Sequence, residues 1–267
     1  MADRVYYVYG IVPPSTGVAG APAGVDDTPV DAIVVGDVAA LVSRLDAAAY
    51  GPNVDDRIAD VAWLGPRASA HDAVLTWASD AGPVVPLPIL SMFRTEDAVH
   101  AMLAERRGEL SALLDRVARG REYGVRIFRV DDELRATLAT FSPAVAALEA
   151  EVSTAASPGQ GYLLARKLDA ARKDELNRVA SSVATSVYTE LASRSLDAAQ
   201  EPLPKPSAQH VGSAVLNAAF FVAHEHIDDF REAVTAFVRD HGQRGFRVEF
   251  TGPWPPYHFT RTVANAR

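Results

Sequence analysis

The chain has 267 residues, 48% of them apolar and 22% charged, with a net charge of −8 and no cysteine. That length suits one large domain or two small ones, and the composition is that of an ordinary globular protein. The negative balance argues against a nucleic-acid binder that works by neutralising phosphate, and the lack of thiols excludes disulfides, thiol catalysis and thiolate metal sites. It also fits a cytoplasmic setting. The opening Met1-Ala-Asp-Arg-Val has no basic region followed by an apolar run, so no signal peptide is expected. No stretch approaches about 18 uninterrupted apolar residues, so no membrane span is expected.

Residues 4–12 read as a strand in which Val5, Tyr7 and Tyr9 alternate with Tyr6, Val8 and Gly10. Both faces are apolar, which predicts an inner strand covered on both sides. A loop rich in Pro, Gly and Ala follows at 13–29. Residues 31–35 and 38–44 flank Gly36-Asp37, a two-residue hairpin signal. The first 60 residues carry nine acidic and three basic side chains, most of the negative excess. Residues 55–80 show helical periodicity in two stripes, Ile58, Val61, Ala62 and Leu64, then His71, Val74, Leu75 and Ala78. Gly65-Pro66 is expected to break or kink the helix between them. Residues 83–90 form a strand interrupted by Pro83, Pro86 and Pro88, which implies a sheet edge, a bulge or an early exit. Thr95 caps a helix whose apolar positions run from Val99 to Val117, and Gly120 ends it near the expected domain boundary.

Residues 122–130 alternate as a strand, with Tyr123, Val125 and Ile127 on one face and Arg126 and Arg129 away from it. Asp131-Asp132-Glu133 opens a helix to about residue 150, and the triplet lacks the spacing of a calcium loop. Residues 157–161 read as a turn. A long helix spans roughly 162–198, with Leu176, Val179, Val183, Val187 and Leu191 on one face and the pairs Asp169–Lys173 and Asp174–Arg178 on the other. At 1.5 Å per residue it would be about 55 Å long, more than a small domain spans, so part of it must project or pack against the other lobe. A proline-rich linker covers 201–208. A strand at 213–222, a helix striped by Ile227, Phe230, Val234 and Phe237, a stop at Gly242 and a strand at 245–251 complete the set. The expected fold is α+β in two lobes. The first is an N-terminal α+β domain, 1–120. The second, 121–267, is a modified ferredoxin-like domain with one strand missing or merged, a helical insertion at about 131–199 and an aromatic-proline tail.

Catalytic signatures are absent. No glycine-rich phosphate loop, His-Glu-x-x-His or nucleophile elbow occurs. His224-Glu225-His226 sits at a strand end, where both imidazoles could meet one metal, yet no third ligand is evident, and a solvated corner is the plainer account. His71 lies on an apolar stripe and reads as a packing residue. Arg106, Arg107, Arg116, Arg119, Arg121, Arg126 and Arg129 cluster near the domain boundary, as a solvated helix face, a surface for an acidic partner or a phosphate site.

The penultimate stretch stands out. In Phe246-Arg-Val-Glu-Phe-Thr-Gly-Pro-Trp-Pro-Pro-Tyr-His-Phe259, Phe246, Val248 and Phe250 alternate as a half-buried strand until Gly252-Pro253. Pro253, Pro255 and Pro256 then remove three backbone donors, so the chain is expected to leave the ladder and run extended, carrying Trp254, Tyr257 and Phe259. Such a run closes a core as an aromatic lid or offers a surface to a partner.

With Tyr6-Tyr-Val-Tyr-Gly-Ile-Val12, Val84-Val-Pro-Leu-Pro-Ile-Leu-Ser-Met-Phe-Arg94 and Glu122-Tyr-Gly-Val-Arg-Ile-Phe128 in the same order, this ending resembles the gas vesicle synthesis proteins of the F/L type (GvpF/GvpL) over nearly the whole chain. One departure is Leu87-Pro-Ile-Leu-Ser91, where the resemblance would place Leu-Arg-Phe-Gly, so no role of that Arg-Phe pair carries over. The resemblance implies a non-enzymatic accessory or structural protein of gas vesicle assembly, located in the cytoplasm and the gas vesicle, that contacts the small hydrophobic shell subunit and other accessory proteins. It implies no cofactor, metal, nucleic acid or membrane. The candidate partner interface is Pro253, Trp254, Pro255, Pro256, Tyr257 and Phe259 with Arg119, Arg121 and Arg126, and the proline-bearing edge at Pro83, Pro86 and Pro88. The alternative is a small-molecule-binding or enzymatic α+β protein with a site between the lobes, anchored by Arg126 or His224.

Overall fold

The computed structural model describes residues 4–50, 57–140, 142–206 and 212–260. It is an α+β protein with two antiparallel sheets and, among the described residues, six α-helices. The chain divides into two compact units, Met1–Glu122 with Pro253–Arg267, and Tyr123–Gly252. The tail, expected in the C-terminal domain, is thus grouped with the first unit.

In the first unit β1 (Arg4–Val12) is the central strand. On one side it pairs with β3 (Val38–Asp46), which carries β2 (Asp31–Val35) outside it. On the other side lie the short β4 (Val85–Pro86) and β5 (Met92–Phe93). The β2–β3 hairpin turns where predicted, with Gly36 at φ 63°, a conformation that suits glycine. The strict alternation expected along β1 fails at a bulge between Val8 and Gly10. A Cβ on Gly10 would come within 2.9 Å of both the Leu75 side chain and the Val85 carbonyl oxygen.

Helix α1 (Val61–Ala81) packs His71, Val74, Leu75 and Ala78 on the sheet face that carries Tyr7, Tyr9 and Leu41. Helix α2 (Glu96–Val117) covers the sheet with buried Val99, Leu103, Leu110 and Leu114, and Thr95 caps it by accepting the Ala98 N–H at 3.2 Å. The break expected at Gly65-Pro66 does not occur. Asp60 caps α1, and Pro66 falls in its second turn, where the missing donor costs one hydrogen bond. Because the helix starts at Val61, Ile58 precedes it and Val61 is 81% exposed; Trp63 is the residue that buries. The strand expected at 83–90 shrinks to Val85–Pro86, an edge strand in which Pro86 is buried rather than exposed. Gly120 starts β6 (Gly120–Arg129) instead of ending α2, which stops at Val117.

In the second unit the strand order is β7-β8-β6-β9, with β7 (Asp197–Gln200), β8 (Ser213–Ala223) and β9 (Phe246–Trp254). The helix predicted from Asp131 is two helices, α3 (Asp131–Thr137) and α4 (Pro143–Ser153), because Ser142-Pro143 is an N-cap followed by proline at the first helical position. The turn predicted at 157–161 is the start of α5 (Pro158–Ser193), capped by Ser157 in the same way. It buries Leu168, Leu176, Ala180, Ala184, Val187 and Leu191. Arg178 pairs with Glu175 and Arg172 with Glu149 and Asp169, in place of the predicted i,i+4 pairs. The last residues assigned to that helix form β7, the strand missing from the expected order. Residues 207 and 208 of the expected linker lie outside the described residues. Helix α6 (Ile227–His241) buries Phe230, Val234 and Phe237. Strand β9 continues through Gly252 and Pro253 to Trp254, three residues past its predicted end.

The stop before β9 is Gly245, at φ 85°. A Cβ there would lie 2.6 Å from the Leu134 nitrogen and 3.0 Å from the Val130 oxygen, and the Gly245 carbonyl accepts the Val130 N–H at 2.8 Å. Left-handed backbone combined with contact against main chain makes Gly245→Ala destabilising by about 2 kcal/mol or more, read as a lower urea midpoint with an unchanged slope. An unchanged midpoint would refute this.

Candidate functional site

Two of the sequence candidates, the proline-bearing strand and the aromatic tail, meet in one open cleft of the first unit. It is about 440 Å³ in volume and lined by Ala68, His71, Asp72, Pro86, Leu87, Pro88, Ile89, Tyr257 and Thr260. Helix α1 supplies one wall, the chain leaving β4 a second, and the tail the third. Most of the lining is aliphatic or proline. His71, Asp72, Tyr257 and Thr260 are its polar groups, and the Tyr257 hydroxyl donates to Asp72 Oδ1 at 2.7 Å. Burial raises the Tyr257 pKa, and the bond to Asp72 adds to the effect, so the phenol stays protonated.

Beneath the cleft runs a buried hydrogen-bond chain. Tyr7 Oη lies 2.8 Å from His71 Nδ1 and accepts the Leu90 N–H at 3.2 Å. Burial lowers the His71 pKa to about 4, against a backbone hydrogen bond to Leu87 that raises it. The imidazole is therefore neutral at pH 7. Tyr7 donates to Nδ1, and the Nε2–H is left for Leu87. Strand β1 and helix α1 together hold the 87–90 segment from below. Leu90 sits at φ 65°, an uncommon conformation for a non-glycine residue, with its N–H committed to Tyr7. The ring contact of Tyr7 with Tyr9, 4.9 Å between centroids, continues the same layer.

The tail is held by a buried carboxylate. Glu122, 2% exposed, accepts the His258 backbone N–H at 3.0 Å, and its other oxygen lies 2.5 Å from His258 Nδ1. Pro255, Pro256 and Phe259 are buried, and Thr260 donates to the Pro256 carbonyl at 2.8 Å. Of the run singled out in the sequence, Pro253 and Trp254 (40% exposed) face outward at the end of β9 and Tyr257 is half-buried at the cleft. The run is thus buried in part and exposed in part.

The arginines are divided between the two units. Arg121 donates to the carbonyl and the hydroxyl of Ser79 in the last turn of α1, within the first unit, and is half-buried. Arg126 belongs to the second unit, where it reaches Asn217 at 3.1 Å and Glu249 at 3.8 Å across its own sheet. Arg119 is exposed after α2. Arg106, Arg107 and Arg129 pair with Glu109, Asp37 and Asp131. His224 and His226 lie in an exposed turn, and among the described residues no three His, Cys, Asp or Glu side chains gather as metal ligands. Sequence reasoning missed Glu122, Asp72 and the Tyr7–His71 pair. The signal for the last was present, since Tyr7 and His71 both lie on apolar faces that must meet a core, where polar ends need partners.

The buried histidine makes stability depend on pH. Between about 4 and the ordinary 6.5 the unfolded chain binds a proton at His71 and the folded protein does not, so stability rises with pH there. A shift of that size corresponds to about 3 kcal/mol. Urea unfolding should show wild type losing about that much more stability than His71→Gln between pH 7 and pH 4. Parallel losses in the two proteins would contradict a neutral buried His71.

The family model described as gas vesicle synthesis protein GvpL/GvpF matches residues 5–261. The gas vesicle protein L of Streptomyces sp. (strain CB03234) is 30% identical over 262 residues, covering 96% of this chain and 93% of that protein. The crystal structure of the gas vesicle protein GvpF from Anabaena sp. PCC7120 superposes with a TM-score of 0.63 at 19% identity, covering 96% of both chains. That of GvpF from Microcystis aeruginosa gives 0.62 at 18% identity, covering 96% of this chain and 98% of the other.

Proposed function

The chain belongs to the gas vesicle synthesis protein GvpL/GvpF family, with a role in gas vesicle formation, and on that premise we propose that it is a non-enzymatic accessory protein whose first unit holds an apolar segment of the small hydrophobic shell subunit during assembly. The observation that carries this reading is the cleft, where Pro86, Leu87, Pro88, Ile89 and Tyr257 form an aliphatic and aromatic wall with Asp72 and Thr260 as its polar points. A subunit that builds an apolar wall exposes apolar surface or a strand edge before it is assembled, and covering that surface prevents off-pathway association. The proline-bearing edge suits this task. It lacks donors at 86 and 88, so side-chain pockets rather than an extended ladder would select the occupant. The same reading places the protein in the cytoplasm and at the growing vesicle. The strand order β7-β8-β6-β9 supports a ferredoxin-like second unit whose first crossover has grown into α3–α5.

Co-expression with the principal shell subunit, followed by affinity capture, tests the reading. Wild type should keep the shell subunit soluble and carry it through capture. Ile89→Lys places a charge in the cleft at a half-buried position; it should reduce capture at least tenfold while the thermal midpoint moves little. Equal capture by the variant would remove the cleft from the contact, and no capture by wild type would remove direct contact altogether.

A further inference from the structure

A second groove lies wholly in the second unit, along the seam between the C-terminal half of α5 and helix α6. It is the larger of the two, about 550 Å³. Its floor is apolar, with Val187 and Leu191 from α5 and Ala233, Ala236 and Phe237 from α6; the larger three are buried, and the two half-buried alanines offer most of its open apolar surface. Its rim is acidic, with Glu190 on the α5 side and Asp229, Glu232 and Asp240 on the α6 side. Arg194 is the cation among the lining residues, and it is engaged by Glu190 at 2.7 Å, so that pair cancels. Asp229 faces His226 at 3.9 Å and Asp240 faces Arg239 at 3.1 Å, both exposed pairs of the kind that water and salt screen. Phe237 stacks on His241 at 4.6 Å to form a flat end to the floor, and His241 Nδ1 is buried there with no hydrogen-bond partner among the described residues.

We propose that this groove is an interaction surface for a basic amphipathic helix of a partner protein, its apolar side on the floor and its lysines or arginines toward the acidic rim. The dimensions select a helix. The lining runs from Ser186 to Arg194 on α5 and from Asp229 to His241 on α6. At 1.5 Å per residue these are about 12 and 18 Å, two to three turns of a third helix laid into the seam. Ala233 and Ala236 keep the floor low enough for close helix approach. The rim supplies the choice of partner: Glu232, and Asp229 whose neighbour is a histidine rather than a fixed cation, attract a cationic helix and repel an acidic one, while Asp240 is shared with Arg239. This site shares no residue with the cleft of the first unit, so it stands whether or not the shell-subunit reading holds.

The test uses the full chain and a designed probe, a capped 14-residue helical peptide with leucine and alanine on one side and lysine on the other, followed by fluorescence anisotropy. Wild type should bind, and raising the salt from 50 to 500 mM should weaken binding several-fold. Glu232→Lys with Asp240→Lys should weaken it at least tenfold. These positions are exposed and lie beyond the first turn of α6, so folding is not at stake, and circular dichroism verifies it. Asp80→Lys with Glu105→Lys, which changes net charge equally at exposed positions of the first unit, should change binding less than twofold. Ala233→Trp, which fills the floor without altering charge, should abolish it. Equal weakening by the two double variants would reduce the effect to general charge attraction and overturn the proposal, as would wild-type binding no tighter than that of a glutamate-for-lysine peptide.

Discussion

The first unit depends on a buried carboxylate. Glu122 ends the chain's first pass through this unit, and 2% of its surface reaches solvent. A carboxylate in that position is costly unless its oxygens are satisfied, and His258 satisfies both, one with its backbone N–H and one with its ring. The contact joins residues 136 positions apart, so it fixes where the terminal segment lies after the second unit has been completed. From it follow the burial of Phe259 and the placing of Tyr257 beside Asp72. Breaking such a pair by removing one partner leaves a buried group uncompensated, at a cost of about 3–5 kcal/mol.

The cleft is the space left between that segment and two rigid supports. One is helix α1, held to the sheet by apolar packing. The other is the 87–90 segment, held by the Tyr7–His71 pair and by a main chain that turns through a positive φ at Leu90. Tyr257 at the cleft and Tyr7 beneath it have pKa values raised first by burial, and His71 is kept neutral by the same cause. Asp72 is the acidic side chain of the lining, and most of the remaining surface is apolar.

Much of this fold was legible because the relevant forces are local. Alternation placed β1 and β6, Gly36-Asp37 placed the hairpin, and Thr95 placed the start of α2. The errors came where two local signals competed. Pro66 and the glycines at 159 and 161 were read as breakers, yet Asp60 and Ser157 cap helices that begin just before them and carry through. Ser142-Pro143 divides a helix that periodicity alone runs together. Strand β7 has only four residues, Asp-Ala-Ala-Gln, with no β-branched or aromatic side chain, and exists because β8 offers it a partner. Of the site, the sequence showed the stiff aromatic run and the proline-bearing edge, since proline and aromatic residues announce themselves. It did not show that they meet, nor that Glu122 and Asp72 receive the tail, because those contacts span 136 and 185 residues and leave no local pattern.

The central claim is that the cleft walled by the 86–91 segment and the docked terminal run is the surface that meets the shell subunit. Hydrogen–deuterium exchange of the full chain, with and without the co-expressed shell subunit, tests it most directly. The account predicts slower exchange in peptides covering 86–91 and 255–260 when the subunit is present. Unchanged exchange in both segments, with protection appearing elsewhere on the chain, would contradict it.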